Sequence, residues 1–209
     1  MPNPPFSPIK LYRFYLSGHC HRAELMLSLL GLPHTLIDVN LKAKEQKSVS
    51  FLKLNPFGLV PVIDDSGVVV ADSNAILIYL AGKYDDGAWL PHDPFGAAQV
   101  QRWLSIAAGP LAFGPAAARV HKVFGTPLDY GQAVARAQNL FTTMNEQLAN
   151  SPYLCGDRAT VADVAMYTYT AHAPEGHISL EEYPFLRAWL SRIHALPRFI
   201  PMSAADMPA

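Results

Sequence analysis

The pattern of apolar and polar positions near the start of the chain predicts alternating strands and helices. Two apolar, β-rich runs, residues 9–15 and 34–39, each predict a strand. Between them, apolar residues recur at i, i+3, i+4 and i+7 along residues 23–30, which predicts a helix with one buried face. Gly31 and Pro33 end that helix, because glycine suits the residue after a helix and proline cannot continue one. A strand, a helix and a strand in this order predict parallel pairing through a right-handed crossover.

The stretch that follows predicts a hairpin and then a helix. Residues 60–63 and 68–71 are apolar runs on either side of four turn formers, residues 64–67. Ser73 is a suitable N-cap for an apolar helix that continues to Tyr84. This unit places two antiparallel strands directly before a helix.

A weaker apolar pattern at residues 43–54 predicts a short helix before the hairpin. The complete order is then strand, helix, strand, helix, strand, strand, helix. It predicts a mixed four-stranded sheet with helices on both faces, which is the arrangement of an α/β thioredoxin-like domain. We place this domain at residues 1–84 and a linker at residues 85–93.

The remaining residues, 94–209, predict an all-α domain. Asp93 and Pro94 suit the N-cap and the first position of a helix over residues 95–108. Two Gly-Pro pairs are expected to bend or interrupt its continuation to Phe124. Further helices are expected over residues 129–150, after a capping box at residues 160–163, and from Tyr183-Pro184 to about residue 196.

Composition and charge exclude several classes of function. The chain has 209 residues, 50% of them hydrophobic, and a net charge of −1, so it lacks the basic surface that a nucleic-acid backbone requires. Its apolar runs are far shorter than the roughly 20 residues of a membrane helix, and residues 1–8 lack the features of a signal peptide. Cys20 and Cys155 are far apart and predict neither a structural disulfide nor a metal motif. We therefore expect a cytoplasmic protein without a metal, a nucleic-acid partner or a membrane partner.

Two features of the hairpin and its helix indicate a binding site. Pro61 lies in a predicted strand although proline cannot donate to a sheet. A trans proline on an edge strand explains this position, and so does a cis Val60-Pro61 bond that turns the backbone of Val60 towards a peptide-like ligand. Asp72 and Ser73 begin a helix, where free amides and the helix dipole favour an anion and a carboxylate suits an ammonium. From the residues alone, a plain helix cap remains open beside a site for an α-amino acid head group.

Together these features resemble the glutathione-binding motif of the glutathione transferases, N-P-x-G-x-V-P followed by an acidic residue and Ser at a helix, here within residues 55–84. The resemblance extends over nearly the whole chain and indicates a cytosolic, bacterial-type member with a Ser/Thr loop. It implies that Pro61 is cis and that Val60 pairs with the cysteinyl backbone of glutathione. It also implies that Asp72 and Ser73 hold the γ-glutamyl end.

One position departs from the family pattern. Relatives often carry Gln, Lys or His where this chain has Leu59, so a side-chain contact to the glycyl carboxylate of glutathione is missing or comes from elsewhere. The resemblance offers Lys47 or Gln46 as the replacement. A solvated lysine on a weak helix is the plainer interpretation of Lys47.

The polar loop at residues 17–21 precedes the first helix, and a helix N-terminus stabilises a thiolate. One hydrogen bond to a charged group, worth roughly 1.5–3 kcal/mol, lowers a thiol pKa by about one to two units. The loop is similar to the family pattern Ser/Thr-x-Asn-x-x-Lys, with Ser17 at the hydroxyl position, His19 in place of Asn and Arg22 in place of Lys. The resemblance implies that Ser17 is catalytic, while His19 either donates to sulfur or caps the helix. Cys20 is either a nucleophile for thiol-disulfide exchange or a small buried residue.

The resemblance also places an electrophile in a cleft between the two domains. Such a pocket is expected to be apolar, as small-molecule sites usually are. Aromatic residues at helical spacing are more often core than pocket, so we expect only one of the three aromatic candidates to line it. The candidate residues are Leu16, Trp103, Phe113 and Tyr169.

Three functions remain open at this point. The first is a detoxifying glutathione transferase, with glutathione as co-substrate, whose thiolate attacks an electrophilic carbon or a peroxide. The second is a thiol-disulfide oxidoreductase that uses Cys20. The third is a binder or regulator that keeps the fold without catalysis, since a fold does not settle a function. The family resemblance implies a homodimer in each case.

Overall fold

A computed structural model describes residues 7–205 and shows one four-stranded sheet followed by a helical domain. β1 pairs in parallel with β2 and antiparallel with β3, and β3 pairs antiparallel with β4, in the spatial order β2-β1-β3-β4. The mixed sheet is confirmed. The strands are β1 Ile9–Arg13, β2 His34–Asp38, β3 Val62–Asp65 and β4 Val68–Ala71.

Three helices belong to the sheet domain, and one of them differs from its prediction. They are α1 Gly18–Leu29, α2 Val49–Leu54 and α3 Ser73–Tyr84. The single helix predicted over residues 43–54 is wrong, because a 3-10 turn, Glu45–Lys47, is separated from α2. Ser48 has an extended backbone there, and its side chain accepts from the Phe51 amide, so that it begins α2 as a new helix.

The hairpin is tighter than the sequence predicted. The turn consists of Ser66 and Gly67, both with positive φ, while the two preceding aspartates belong to β3. Pro61 lies before β3 and not within it, so it removes no donor from the sheet ladder. Asp72, and not Ser73, is the N-cap of α3, which corrects the predicted cap by one residue.

The second domain is helical as predicted. A π-helical segment, Ala107–Ala116, contains both Gly-Pro pairs and joins α4 to α5 without a break, so the prolines alter the helix type and do not end it. Asp93 is the N-cap of α4 with Pro94 in its first turn. A 3-10 turn at Ala173–Gly176 was not predicted. The helices are α4 Pro94–Ile106, α5 Ala117–Phe124, α6 Tyr130–Ala149, α7 Val161–Ala171 and α8 Pro184–His194.

Helix α7 lies at the centre of the molecule and positions the site. Its capping box forms as predicted, with Thr160 and Asp163 bonding each other's backbone amides. Asp163 is fully buried and also accepts from the indole of Trp189 at 2.8 Å. Because α7 packs against α1, α3 and α4, residues near its end reach the loop that precedes α1.

Candidate active site

A cleft of about 530 Å³ opens beside the Val60-Pro61 bond, which is cis, as the family resemblance implied. Val60 stands outside the sheet, because the first paired residue of β3 is Val62. The side chain of Asn55 donates to the carbonyl of Leu59 at 2.8 Å and holds the loop before the proline. We call this the proline cleft; it is lined by His19, Asn55, Pro56, Phe57, Leu59, Val60, Pro61, Ala71, Asp72 and Ser73.

The N-terminus of α3 forms one wall of the proline cleft. Asp72 adopts a φ of +76°, and its Oδ1 accepts from the amides of Asn74 at 2.9 Å and Ala75 at 3.0 Å. The first turn of α3 contains the amides of Ser73, Asn74 and Ala75. Because Asp72 accepts from the last two, the Ser73 amide is left without a hydrogen bond to this carboxylate or to a helix carbonyl. A free amide, the positive end of the helix dipole and an exposed carboxylate together suit a zwitterionic amino acid.

Two side chains of α1 connect it to that wall. Arg22 is 1% exposed and donates from Nη1 to Ser73 Oγ and to Asn74 Oδ1, both at 2.8 Å. His19 Nδ1 lies 3.1 Å from the same Ser73 Oγ. Burial, followed by the charge of Arg22, lowers the pKa of His19 to about 3, so its ring is neutral at physiological pH. Burial lowers the pKa of Arg22 to about 10, which leaves it charged.

Ser17 begins α1 as its N-cap. Its Oγ accepts from the Cys20 amide over 3.4 Å, and its hydroxyl is also a hydrogen-bond partner of the Cys20 side chain. The positive end of α1 lies at the same point, where two conditions that stabilise an anion coincide. A bound thiolate beside Ser17 would meet both.

Cys20 does not have the properties of a reactive thiol. Its side chain is 1% exposed, and its Sγ accepts from the Phe14 amide at 3.3 Å. Burial raises the pKa of Cys20 to about 11, so the thiol is protonated and out of reach of a disulfide. The oxidoreductase alternative has no support in this geometry.

A second cavity, of about 710 Å³, is lined by Ser17, which does not itself line the proline cleft. Tyr169 of α7 separates it from the proline cleft, because its ring lies 5.1 Å from the His19 ring and directly over Gly18. A Cβ at position 18 would lie 2.7 Å from Cζ of Tyr169, so only glycine allows this approach. We call this the Ser17 cavity; it is lined by Phe14, Leu16, Ser17, Asn40, Leu41, Lys42, Arg119, Val120, Phe124, Thr126 and Tyr169.

Two of the residues predicted for the electrophile pocket lie elsewhere. Leu16 and Tyr169 line the Ser17 cavity, whereas Trp103 and Phe113 line a separate cavity of about 730 Å³ between α4 and α6. The remaining lining of this cavity comes from α4, the π-helical segment and α6. Trp103 is 2% exposed and donates to the Leu154 carbonyl, while Phe113 is 60% exposed. Of the three aromatic candidates, one lines the same cavity as Leu16.

The sequence raised three positions in connection with the glycyl end of glutathione, and of Leu59, Lys47 and Gln46 only Leu59 lines the cleft. Leu59 lines the proline cleft with 62% of its surface exposed. Lys47 is not among the lining residues, and its Nζ donates to the carbonyl of Phe57, which does line the cleft, at 2.9 Å. Gln46 carries a buried Oε1 that bonds to nothing within residues 7–205. Lys47 therefore bonds to a residue that lines the cleft but does not line the cleft itself.

Arg119 is a functional candidate that the sequence did not reveal. It is 1% exposed, donates from Nε to Glu175 at 2.7 Å and from Nη1 to the carbonyl of Leu16 at 2.9 Å, and lines the Ser17 cavity. In the sequence, Arg119 is a single cation after a run of small apolar residues. This pattern fits a solvated surface residue equally well. Within the described residues, no group of three or more His, Cys, Asp or Glu side chains is arranged to hold a metal ion.

Comparison with known proteins identifies relatives of both domains. Residues 16–83 match the family model described as "Glutathione S-transferase, N-terminal domain", and residues 128–197 match "Glutathione S-transferase, C-terminal domain". Glutathione S-transferase Z1 from Arabidopsis thaliana is 30% identical over 224 residues, which cover 100% of this chain and 99% of that protein.

Solved structures agree over almost the same length. A glutathione S-transferase from Pseudomonas fluorescens superimposes with a TM-score of 0.89 at 34% identity, covering 95% of this chain and 100% of that one. A glutathione transferase homologue from Drosophila mojavensis, solved with bound glutathione, superimposes with a TM-score of 0.82 at 27% identity, covering 91% of this chain and 89% of that one.

Proposed function

Because this chain belongs to the glutathione S-transferase family, we propose that it binds glutathione in the proline cleft and conjugates it to an electrophile held in the Ser17 cavity. The observation that carries this proposal is the position of Ser17, which lines the Ser17 cavity at the N-terminus of α1, two residues before His19 in the lining of the proline cleft. A thiolate placed there reaches a molecule in the neighbouring cavity. The reaction needs no nucleophile from the protein.

The proline cleft offers partners to two of the three residues of glutathione. The α-carboxylate of the γ-glutamyl end binds the free Ser73 amide at the tip of α3, and its ammonium pairs with Asp72. The cysteinyl backbone lies along Val60, whose own backbone stands outside the sheet. These contacts direct the sulfur towards the start of α1, which contributes His19 to the lining of the cleft.

Activation of the thiol follows from two fixed dipoles. When the thiol loses its proton to solvent, the Ser17 hydroxyl donates to the sulfur and the α1 dipole stabilises its charge. A charge-assisted hydrogen bond of roughly 1.5–3 kcal/mol lowers the thiol pKa by about one to two units. That shift brings a thiol with an ordinary pKa of about 8.5 close to neutral pH. Neutral His19 adds no positive charge of its own, and its Nδ1 is already engaged by Ser73.

We also propose that the protein is a homodimer that uses the cavity between α4 and α6. This cavity of about 730 Å³ lies away from the proposed active site, and Phe113 at its edge is 60% exposed. An aromatic ring exposed to this extent beside an apolar depression is typical of a surface that a second protein covers. A second copy of the chain is the proposed partner.

The place of the protein in the cell is part of the same proposal. No helix within residues 7–205 is long and apolar enough to cross a bilayer. Cys20 and Cys155 are both free thiols, which suits a reducing compartment that contains glutathione. We propose the cytoplasm, and fractionation of cells that express the chain with an epitope tag tests this.

The test of the function compares Ser17→Ala with Cys20→Ala. We expect Ser17→Ala to lower kcat/KM for conjugation of glutathione to 1-chloro-2,4-dinitrobenzene by about 10- to 100-fold, because one donor to the thiolate is lost. The ultraviolet absorbance of the bound thiolate, followed against pH, should show a pKa raised by about one to two units. Cys20→Ala should keep the activity within about threefold, since its thiol touches neither cavity.

Two results would contradict the proposal. Loss of activity in Cys20→Ala but not in Ser17→Ala would support a thiol-disulfide oxidoreductase. Absence of glutathione binding at millimolar concentration would leave a non-catalytic protein that keeps the fold. Circular dichroism and thermal unfolding of both variants show whether they remain folded, since removal of an N-cap costs about 1 kcal/mol.

A further inference from the structure

The Ser17 cavity has a buried cation in its wall. Arg119 uses Nε and Nη1 within the protein, but its Nη2 is buried and has no hydrogen-bond partner within residues 7–205. A buried charged donor that stays unpaired is unfavourable, because it has lost water and gained nothing. An unpaired guanidinium nitrogen at a cavity wall therefore favours an oxygen anion as occupant.

The acid behind Arg119 is shared with a second donor. Glu175 accepts from Arg119 Nε through Oε2 at 2.7 Å and from His172 Nδ1 through Oε1 at 2.5 Å, so one carboxylate serves two donors. On the cavity side, Lys42 is a second cation among the lining residues, and those residues include no acid. The lining of this cavity thus carries two cations and no acid among residues that are otherwise mostly apolar.

We propose that Arg119 and Lys42 form a carboxylate subsite, so that the electrophiles this protein prefers are organic acids. The inference rests on the proposed function of the Ser17 cavity. Arg119 also bonds the carbonyl of Leu16, the residue directly before Ser17, which holds the subsite at a constant distance from the proposed thiolate position. The anchored carboxylate orients the reactive carbon towards the sulfur, while apolar Phe14, Leu41 and Phe124 contact the rest of the molecule.

A matched pair of substrates distinguishes an Arg119 that binds a carboxylate from an Arg119 that only supports the fold. The pair is 4-chloro-3,5-dinitrobenzoate and its methyl ester, which differ in the negative charge. In both reactions the glutathione thiolate attacks the carbon that carries chlorine, a carbon–sulfur bond forms, the carbon–chlorine bond breaks and chloride leaves. We expect the wild-type protein to show a higher kcat/KM for the acid than for the ester. Burial alone would favour the opposite order, because the ester is the more easily buried molecule.

The variants are Arg119→Gln, Arg119→Lys and Lys42→Gln, with Lys122→Gln as the matched control. Lys122 is a cation on the same helix as Arg119, but it lies over the Tyr130 ring and does not line the cavity. Arg119→Gln should lower kcat/KM for the acid by about 10- to 100-fold more than it lowers kcat/KM for the ester. Arg119→Lys should restore part of the preference, and Lys42→Gln should lower it by about three- to tenfold. Lys122→Gln should leave it unchanged.

A binding measurement tests the subsite without turnover. Titration calorimetry follows 3,5-dinitrobenzoate, which has no leaving group, into the wild type and the same variants with glutathione absent. Weaker binding to Arg119→Gln and Lys42→Gln, with an unchanged affinity of the methyl ester, supports the inference. Equal losses for acid and ester, or unchanged binding of the acid, overturn it.

The two proposals fail in distinguishable ways. If neither chlorinated substrate is conjugated but the acid still binds through Arg119, the proposed function fails and the carboxylate subsite stands. If the ester is conjugated and Arg119→Gln treats acid and ester alike, the subsite fails and the transferase stands. Should Arg119→Gln not fold, Lys42→Gln decides the question, because Lys42 is exposed and its replacement leaves the core intact.

Discussion

Arg22 Nη1 donates to Ser73 Oγ across 2.8 Å inside the protein, where both residues are at most 3% exposed. This bond joins α1, which carries Ser17, to α3, whose tip we propose holds the γ-glutamyl group. The two remaining guanidinium nitrogens of Arg22 have no hydrogen-bond partner within the described part of the chain. The hydrogen bonds that Arg22 makes both go to the tip of α3, which assigns it the role of positioning the two helices.

Replacement of Arg22 tests that role. We expect Arg22→Gln to raise the KM for glutathione by about tenfold and to lower the free energy of unfolding by about 2 kcal/mol, because Ser73 loses a charged donor. Steady-state kinetics and chemical denaturation measure the two effects. Arg192→Gln is the control, since Arg192 bonds the carbonyl of Pro152 away from both cavities and should affect stability alone. An unchanged KM in Arg22→Gln would contradict the positioning role.

Asp72 combines two functions that one substitution separates. Asn caps a helix about as well as Asp and tolerates a positive φ, so Asp72→Asn should change the free energy of unfolding by less than about 0.5 kcal/mol. Loss of the carboxylate charge should weaken glutathione binding by about fivefold, because an exposed pair with the ammonium is worth about 1 kcal/mol at most. Calorimetric titration with glutathione measures this effect.

Asp129 provides the control for this experiment, because it caps α6 through the Gln132 amide at a distance from the cleft. Asp129→Asn should leave both the affinity for glutathione and the stability nearly unchanged. If Asp72→Asn binds glutathione as tightly as the wild type does, the charge of Asp72 has no part in binding and its role is that of a cap.

The buried histidines predict how stability depends on pH. Burial is the first cause that lowers the pKa of His19 to about 3 and that of His21 to about 4, both below the ordinary value of 6.5. Below pH 6.5 the unfolded chain therefore binds protons that the folded chain does not, so the free energy of unfolding falls as the pH drops from 6.5 towards 4. The slope is about 1.4 kcal/mol per pH unit for each histidine once both are charged in the unfolded chain.

Chemical denaturation between pH 4 and pH 8 measures this slope. His19→Gln removes one of the two groups, so we expect its slope to be about half that of the wild type over the acidic part of the range. At neutral pH His19 is uncharged in both states, and the variant should differ there only through the lost bond to Ser73. A slope that His19→Gln leaves unchanged would show that this ring is not buried in neutral form.

The proposed dimer is tested at Phe113. A carboxylate at this position would have to be buried without a partner, so Phe113→Glu should give monomers at micromolar concentration where the wild type is dimeric. Size-exclusion chromatography with light scattering measures the mass. Phe185→Glu is the control, because Phe185 is 45% exposed on α8 and should tolerate a charge. A wild-type mass of about one chain, or a dimer that survives Phe113→Glu, would contradict the proposed interface.

Much of the fold could be predicted because its signals are local. The apolar repeat along α1, the Asp93-Pro94 start of α4 and the capping box at Thr160 each depend on residues within one or two turns. The errors were local as well. Ser48 divides the predicted helix at residues 43–54, and Asp72 takes the cap expected of Ser73 because its backbone has a positive φ.

The sequence by itself determined the order of strands and helices, the proline loop and the polar start of α1, since these follow from hydrophobic period, capping and turn chemistry. Only the tertiary structure decided which side chains face the same space. It buried Cys20 and neutralised His19, because packing of α7 over α1 removes water from both. It also brought Arg119, more than a hundred residues away in sequence, to within 2.9 Å of the Leu16 carbonyl. No local pattern encodes such a contact, because it depends on how helices from two domains pack together.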